Sequence, residues 1–431
     1  MSKKLVFVAM CADLIHHGHI NVIKKASALG DVTVSLLTDG AIASYKSPPL
    51  LTYEQRKEII ENIRGVEKVI PQATLDYVEN LKKLKPDYVV HGDDWKIGIQ
   101  VAIRKKAIAV LQEWQGELVE VPYTRGTSST KLRDEKTRIG ITAQDRTQQF
   151  KRLVELKPIV RVLEAHNGLS ALVAEGAKLT TDDQVKEFDA IWESSLTDSA
   201  SKGKPDTEVV DFTSRIQTIE QILEVTTKPL VVDGDTGGPI NHFVFMVRTL
   251  ERLGISAIII EDKIFPKQNS LLKGVAQIQE VPELFAQKIK AGKKTQITND
   301  FMVIARIESL IAGKSINDAI ERAKTYIDAG ADGIMIHSKN KGPEEILEFC
   351  KRYNKLEYQV PLVAVPTTYN SISEKELREA GVSVVIYANH LLRSSYLAMK
   401  RVAEIILTEE KAQGAEIFCS PVKKLFEIVK Q

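Results

Sequence analysis

The sequence has few cysteines and no excess of charge of either sign. Its 431 residues include three cysteines, Cys11, Cys350 and Cys419, which are far apart and odd in number. They form neither a metal-ligand spacing nor a disulfide framework, so we expect a reducing, cytoplasmic environment. The 59 Lys and Arg residues nearly balance the 57 Asp and Glu residues, which argues against a nucleic-acid or membrane-surface partner.

Long apolar runs, internal repeats and low-complexity tracts are also absent. The first apolar run, Leu5 to Met10, is too short for a signal peptide or a membrane span. The composition, with 43% hydrophobic and 27% charged residues, is typical of a globular protein. At this length the chain has room for two or three domains.

The first part of the sequence predicts a doubly wound, Rossmann-like α/β domain. Strand-like apolar runs alternate with helical patterns, which is typical of a parallel sheet covered on both faces. The predicted strands are 5–10, 32–37, 68–70, 88–90 and 118–121, and the predicted helices are 20–29, 53–63 and 75–84. Ligands of such sheets bind beyond the carboxyl ends of the strands, and His16-His17-Gly18-His19 follows the first strand. Taken alone, this pair of histidines could equally be a helix cap and a surface residue.

Two further stretches favour a nucleotide site. His91-Gly92-Asp93-Asp94-Trp95 ends a later strand, and Gly126-Thr127-Ser128-Ser129-Thr130 places a glycine and several hydroxyls before a helix, which suits a phosphate group. With Lys46 and Arg56, these stretches resemble the cytidylyltransferase family, and its glycerol-3-phosphate branch especially. The histidine, His91–Trp95 and Gly126–Thr130 stretches correspond to that family's H-x-G-H, G-D-D-W and G-I-S-S-T motifs, with Thr127 in place of isoleucine. The resemblance covers roughly residues 4 to 135.

This resemblance implies transfer of CMP from CTP to a phosphate or phosphonate oxygen, with release of pyrophosphate. Positioning and charge neutralisation dominate such chemistry. His16 and His19 would stabilise the pentacoordinate phosphate, and Asp13 would lie near the ion or the ribose. The remaining residues implied to bind substrate are Lys46, Arg56, Asp94, Trp95, Ser128, Ser129, Thr130 and Arg133. Among these, Lys46 and Arg133 would neutralise the charge of the triphosphate. Ser128 to Thr130 would hold the β- and γ-phosphates. Family members use Mg²⁺.

A change of composition near residue 140 predicts a domain boundary. The sequence is polar and lacks an apolar period there, so we place a linker at 136–149, between a first domain at 1–135 and a second at 150–431. The second domain contains eight strand-like runs separated by helical stretches, which predicts a (β/α)8 TIM barrel. These runs are 159–163, 188–191, 229–232, 257–260, 301–305, 333–336, 361–365 and 382–386.

Polar groups follow nearly all of these strands, and barrels of this kind catalyse at that face. Asp233, Asp235 and Glu261 come from neighbouring strands and supply the oxygen ligands that Mg²⁺ prefers. After Glu261-Asp262-Lys263 a polar segment through Ser270 replaces any tight turn. We interpret this segment as an active-site lid, the alternative being a solvated loop.

The second domain resembles the phosphoenolpyruvate mutase branch of the isocitrate lyase superfamily, from about Val160 to Leu407. The stretches that carry the resemblance are Ala165–Ser170, Glu261–Ser270, Val303–Arg306, Met335–Lys339, Val365–Thr367 and Ala388–His390. It implies that Asp233 binds Mg²⁺ directly, with Asp235 and Glu261 holding it through water. Trp192, Ser194 and Ser195 would border the substrate carboxylate, and Ser270 would also contact the substrate. Asp206 would be the essential aspartate. The migrating phosphoryl group would be held by Lys267, Asn269, Arg306 and His337. Ser195 in place of glycine, and Gly237-Gly238-Pro239 in place of G-x-G-N, depart from the family pattern.

The implied reaction isomerises phosphoenolpyruvate to phosphonopyruvate. Asn269 favours the mutase over phosphonopyruvate hydrolases, and the lyases' cysteine-containing signature is absent after the lid. The two halves together resemble the bifunctional cytidylyltransferase/mutases of fosfomycin-type antibiotic biosynthesis, in which the acceptor is 2-hydroxyethylphosphonate. The alternatives are 2-aminoethylphosphonate or an alcohol phosphate as acceptor, or a non-catalytic CTP-binding module. We expect a homo-oligomer, a dimer or tetramer formed through the barrel.

Overall fold

The computed structural model describes residues 4–46, 48–96, 100–122, 141–180, 185–272 and 274–429. They form two compact units, of which the second begins at Thr142. Of the predicted linker, residues 136–140 lie outside the described residues, whereas residues 143–149 belong to a helix, Ala143–Leu156. This polar stretch is helical because tertiary contacts hold it: Arg146 donates to the carbonyl of Thr226, and Phe150 is buried among barrel residues.

The first unit is built on a parallel five-stranded sheet with the strand order β3-β2-β1-β4-β5. The order reverses between β1 and β4, and ligands of such sheets bind at this switch point. The predicted Rossmann-like fold is therefore confirmed. The strands are β1 (Leu5–Met10), β2 (Asp31–Leu37), β3 (Val66–Gln72), β4 (Tyr88–Gly92) and β5 (Glu117–Val121).

Helices cover both faces of this sheet, so β1 is buried from Val6 to Met10. The helices are α1 (His17–Ser27), α2 (Asp39–Ala43), α3 (Tyr53–Glu61), α4 (Val78–Leu84) and α5 (Gln100–Leu111), with short 3-10 turns at Asp93–Lys96 and Gln112–Trp114. Helix α4 begins later than the predicted 75–84. The side chain of Gln72 donates to the carbonyls of Thr74 and Asp76 and holds those residues in a turn.

The second unit is a closed barrel of eight parallel strands, as predicted. The barrel strands are β6 (Val160–Glu164), β9 (Ala190–Glu193), β10 (Leu230–Asp233), β11 (Ala257–Glu261), β12 (Met302–Ile307), β13 (Gly333–Ile336), β14 (Leu362–Ala364) and β15 (Val382–Tyr387). A short antiparallel pair, β7 (Lys178–Thr180) and β8 (Val185–Glu187), lies between the first two barrel strands in sequence, although it groups with the first unit. The sequence analysis did not predict this pair.

The apolar runs of the barrel strands are continuous because both faces of the sheet are buried. In β11, Ile258 and Ile260 pack in the layer between sheet and helices, whereas Ile259 faces the barrel interior with Ile304 of β12. Alternate residues thus enter two different cores. This arrangement leaves polar side chains only at the strand ends, where the chain leaves the sheet.

The helices of the second unit surround the barrel. They are α6 (Ala143–Leu156), α7 (Gly168–Gly176), α8 (Ser195–Ser201), α9 (Phe212–Leu223), α10 (Ile240–Leu253), α11 (Pro282–Thr295), α12 (Ile316–Asp328), α13 (Glu344–Tyr353), α14 (Glu374–Glu379), α15 (His390–Glu409) and α16 (Val422–Ile428), with a 3-10 turn at Gln413–Phe418. Helix α15 buries none of its 20 residues. Among the described residues, the model contains no helix that combines the length and the apolar character of a membrane span.

Candidate active sites

A small cavity of about 60 Å³ lies at the carboxyl ends of the barrel strands. Such a volume holds only a few water molecules. The residues that line it come from most of the strand ends: Trp192, Ser194, Ser195, Leu196, Asp206, Asp233, Lys267, Asn269, Ser270, Leu271, Arg306, Met335, His337, Val365, Thr367, Ala388 and Asn389. The fold therefore brings together ten of the barrel residues that the resemblance implied.

Residues 262–272, which we call the lid, follow β11 and cover this cavity with polar groups. The start of this segment is fixed, because Glu280 N donates to Asp262 O and Ile264 N donates to Ile278 O. Inside, Lys267 Nζ lies 2.8 Å from Asp235 Oδ1, and Asn269 Nδ2 donates to Asp206 Oδ2 at 2.6 Å. The outward-facing residues Ile264, Phe265 and Leu272 are apolar and exposed. The segment is thus packed onto the strand ends and is not a solvated loop.

A buried carboxylate, Glu308, organises one side of the cavity. It accepts from Arg306 Nε and Ser270 Oγ, each at 2.5 Å, and lies 3.0 Å from His337 Nδ1. Burial alone would raise its pKa, but Arg306 and His337 outweigh burial and hold the pKa of Glu308 well below its ordinary value. Glu308 therefore stays charged and holds three predicted substrate residues in place.

The opposite side of the cavity contains the predicted metal carboxylates. Asp233 Oδ2 accepts from the Ser195 hydroxyl at 2.8 Å, and Lys267 Nζ donates to that hydroxyl at 3.0 Å. Ser195, which replaces the glycine of the family pattern, thus links the lid to Asp233. Arg215, on α9, forms an ion pair with Asp235 at 2.8 Å and donates to the carbonyl of Asp233. Burial opposes ionisation of Asp235, but Arg215 and Lys267 lower its pKa to about 2.

The carboxylates fit a divalent cation by their donor type. Both carboxylate oxygens of Glu261 are buried and accept no hydrogen bond among the described residues, although Arg306 and Lys263 form ion pairs with them at 3.2 and 3.5 Å. Burial, opposed by Lys267 and Arg306, raises the pKa of Glu261 to about 7. Among the described residues, no three Asp, Glu, His or Cys side chains already form a ligand cluster. A hard cation would find free acceptor capacity on Glu261, and at Asp235 it would take the place of Lys267 Nζ, which lies 2.8 Å from Oδ1.

The remaining predicted residues border the same space. Trp192 Nε1 is buried with no hydrogen-bond partner among the described residues, which leaves a donor for a ligand. Ser194 is buried and precedes α8, without a side-chain cap bond. The sequence analysis missed the second layer around the site, which consists of Glu193, Glu208, Arg215, Lys263 and Glu308. Glu193, Lys263 and Glu308 lie at or just beyond strand ends, which could have indicated them, whereas Glu208 and Arg215 had no such signal.

In the first unit, His16 and His19 form one compact pair at the start of α1. His16 Nδ1 accepts from Gly18 N at 3.1 Å, His19 Nδ1 accepts from His16 N at 3.4 Å, and the ring centroids are 4.1 Å apart. Burial, His16 and Lys46 lower the pKa of His19 to about 4. His16 is therefore a helix cap, and the role of both histidines at a phosphate stays a prediction.

Arg56 and Trp95 have structural roles that the resemblance did not imply. Arg56 is completely buried, and it donates to Asp39 at 2.6 Å and to the carbonyl oxygens of Cys11 and Leu51. Trp95 is also completely buried and donates to Glu120 at 2.8 Å. In this fold the polar groups of both side chains form hydrogen bonds with the protein, which favours a positioning role, and their contact with substrate stays a prediction.

Asp13 joins the same framework: its Oδ1 accepts from Leu50 N at 2.6 Å, which fixes the chain between Lys46 and α3. Asp94 follows β4 with its side chain 52% exposed, so it is open to a ligand. The predicted phosphate residues lie outside the described residues: Ser128, Ser129, Thr130 and Arg133.

Comparisons with known proteins match both parts of the chain. A family model for phosphoenolpyruvate phosphomutase matches residues 150–407, and a cytidylyltransferase-like model matches residues 10–135. A phosphoenolpyruvate phosphomutase of Tetrahymena pyriformis is 38% identical over 285 residues, covering 66% of this chain and 91% of the relative.

Two solved structures resemble the chain as well. The crystal structure of phosphoenolpyruvate phosphomutase from Streptomyces platensis subsp. rosaceus is 39% identical with a TM-score of 0.60, covering 65% of this chain and 93% of that one. Phosphonopyruvate hydrolase in complex with oxalate and Mg²⁺ is 32% identical with a TM-score of 0.58, covering 67% and 95%. The chain therefore belongs to the phosphoenolpyruvate phosphomutase family and carries, ahead of its barrel, a cytidylyltransferase-like domain.

Proposed function

We propose that the barrel isomerises phosphoenolpyruvate to phosphonopyruvate and that the first unit transfers CMP from CTP to a phosphonate such as 2-hydroxyethylphosphonate. The observation that carries the first part is the lid. Its Lys267 and Asn269 both contact Asp206 over a cavity with room for only a few waters. A phosphoryl group that leaves oxygen there meets fixed donors and little water.

The isomerisation breaks the bond between phosphorus and the enol oxygen and forms one between phosphorus and carbon 3, and it consumes no other reactant. Lys267 and Arg306 supply positive charge to the phosphoryl group in transit, and Asn269 supplies a neutral donor. Burial and Arg306 lower the pKa of His337, and the neighbouring carboxylate of Glu308 opposes them. Mg²⁺ held by Asp233, Asp235 and Glu261 would neutralise charge on the substrate carboxylate and enolate oxygens.

A second candidate for the barrel is phosphonopyruvate hydrolysis, because a hydrolase structure is similar to this chain. The two reactions differ in whether water reaches the phosphorus. In this site the hydrogen bond between Asn269 and Asp206, together with Lys267, closes the lid side of the cavity. That geometry favours isomerisation.

Phosphorus-31 NMR distinguishes these reactions directly. The protein is incubated with Mg²⁺ and phosphonopyruvate, because conversion to phosphoenolpyruvate is the easier direction to follow. We expect the carbon-bound phosphorus signal to be replaced by that of phosphoenolpyruvate. Release of inorganic phosphate alone would establish the hydrolase instead, and an Asp233→Ala variant shows that either reaction belongs to the barrel site.

The cytidylyltransferase proposal rests on the paired histidines at the switch point of the first sheet. A helix N-terminus and histidine donors suit a phosphate at which negative charge builds up. The test is pyrophosphate release from CTP with 2-hydroxyethylphosphonate, 2-aminoethylphosphonate and glycerol 3-phosphate in parallel. Activity with one of the other two acceptors would revise the substrate. CTP binding without any pyrophosphate would identify a non-catalytic module.

We further propose that two copies of the chain associate through α15. A groove of about 790 Å³ lies between this helix and α8, and its apolar side chains include Leu196 and Leu392. On α15 itself, Tyr396 and Leu397 are 63% and 68% exposed. A helix and its adjoining groove suit a twofold contact, in which each copy presents both. Sedimentation should give a dimer or larger assembly that Leu397→Glu weakens and Ile297→Glu, an exposed site elsewhere, does not.

A further inference from the structure

Glu208 lies two residues beyond Asp206, in the loop between α8 and α9. Its backbone has a φ of +58°, a left-handed conformation that glutamate seldom adopts. This conformation turns the side chain away from the helix that follows and toward the strand ends. No sequence motif had indicated this residue.

The carboxylate of Glu208 joins three separate segments of the site. Its Oε2 accepts from the backbone N–H of Lys267, within the lid, at 2.7 Å. Its Oε1 accepts from the hydroxyl of Thr236 at 2.7 Å and from the Thr236 N–H at 3.1 Å. Thr236 follows the segment that carries Asp233 and Asp235. One side chain therefore connects the Asp206 loop, the carboxylate segment and the lid.

The bond to the main chain of Lys267 differs in kind from the contacts that the lid makes with Asp206. Lys267 and Asn269 reach Asp206 through their side chains, which must also serve the substrate. Glu208 instead binds the main chain of the lid, so it can hold the lid while both side chains engage a ligand. An anionic acceptor makes this bond stronger than one between neutral groups.

We propose that Glu208 is the latch of the lid: it closes the lid by its backbone contact, and through this closure it keeps water from the migrating phosphoryl group. The exclusion of water rests on the proposed isomerase function. The closure of the lid does not, because it depends only on the contact between Glu208 and the main chain. Glu208 is thus a positioning residue that touches no reacting atom.

Replacement by glutamine tests whether the anionic acceptor matters. Glu208→Gln keeps the size of the side chain, but it offers one acceptor oxygen where the native residue uses two, and its amide group then faces an N–H or O–H donor. We expect hydrogen–deuterium exchange of the full-length, ligand-free protein to rise roughly tenfold or more at the Lys267 amide. Exchange in the β11 peptide should stay at the wild-type level. Glu224→Gln, an exposed carboxylate at the end of α9, is the matched control.

Products provide the second readout. With phosphonopyruvate and Mg²⁺, a poorly closed lid admits water, which cleaves the carbon–phosphorus bond to give pyruvate and inorganic phosphate. We expect the share of phosphate among the products to increase severalfold in Glu208→Gln, with the KM changed less than kcat. A residue that served only stability would lower both products together.

Unchanged exchange at the Lys267 amide would overturn the latch, whatever the activity. Increased exchange with an unchanged product ratio would overturn its role in excluding water. If the wild-type protein lacks isomerase activity, the proposed function fails, and the exchange result still decides the latch. Should Glu208→Gln not fold, Thr236→Val removes the hydroxyl donor to Oε1. A smaller rise in exchange at the lid is then expected, and no rise overturns the proposal.

Discussion

The side-chain amide of Asn269 donates to Asp206 Oδ2 at 2.6 Å, so a residue of the lid is bound to the loop after α8. The same carboxylate receives Lys267 Nζ at 3.3 Å. Asp206 is therefore the point at which two lid side chains converge. A substrate that needs either donor has to compete with Asp206 or to draw the lid into a new set of contacts.

Removing the amide should slow the barrel reaction much more than it weakens binding. For Asn269→Ala we expect a loss of about 2–4 kcal/mol of transition-state stabilisation, because the amide acts chiefly on charge in transit. Some pyruvate and phosphate should also appear. Steady-state conversion of phosphonopyruvate to phosphoenolpyruvate gives kcat and KM separately. Asn340→Ala, at an exposed position after β13, is the control. A wild-type rate in Asn269→Ala would remove the main local support for the isomerase.

The two activities should be separable, because their residues belong to different sheets. Asp233→Ala should abolish turnover of phosphonopyruvate and leave pyrophosphate release from CTP intact. His19→Ala should do the opposite. Both variants are measured in both assays, with circular dichroism to verify folding. If either folded variant loses both activities, the two sites are not independent.

Arg56→Met should destabilise the first unit, because it leaves a carboxylate and two carbonyl oxygens without their donor. The expected cost is on the order of 3 kcal/mol in the free energy of unfolding. Urea unfolding followed by circular dichroism, with the cytidylyltransferase rate measured alongside, checks this. Arg64→Met, exposed just beyond the same helix, should change little. An unchanged stability with a lost affinity for CTP would restore the direct contact that the sequence analysis expected.

His19 should titrate far below an ordinary histidine. Burial, His16 and Lys46 lower its pKa from 6.5 to about 4. Because the folded state resists protonation, the associated stability is fully present above pH 6.5 and is lost as pH falls toward 4, by at most about 3 kcal/mol. NMR titration of the ring protons measures the midpoint, which Lys46→Met should raise. A wild-type midpoint near 6.5 would show that the ring is open to water.

The strand pattern was predictable because both faces of each sheet are buried, and all eight barrel runs became strands. Residues at the strand ends followed from the same logic, so Asp233, Glu261 and Arg306 were placed by sequence alone. The role of Glu308 was not predicted, although Glu308 directly follows β12, the strand that contains Arg306. Its importance depends on donors from the lid and from β13, which are distant in sequence.

The burial of polar side chains also limited what could be predicted from the sequence. A motif shows that Arg56 and Trp95 occur at given positions, but it does not show which direction their side chains take. The structure directs both inward, because Asp39 and Glu120 provide acceptors there. The helical residues 143–149 escaped prediction for a similar reason, since their partners belong to the barrel.

The reciprocal cap at the start of α1 also selects the tautomer of both histidines. Each Nδ1 accepts a backbone N–H, from Gly18 in one case and from His16 in the other, so it cannot carry the proton itself. In the neutral rings the proton must therefore sit on Nε2. The helix cap thus leaves both imidazoles with a donor N–H, which is the form that a phosphate oxygen requires, before any nucleotide arrives.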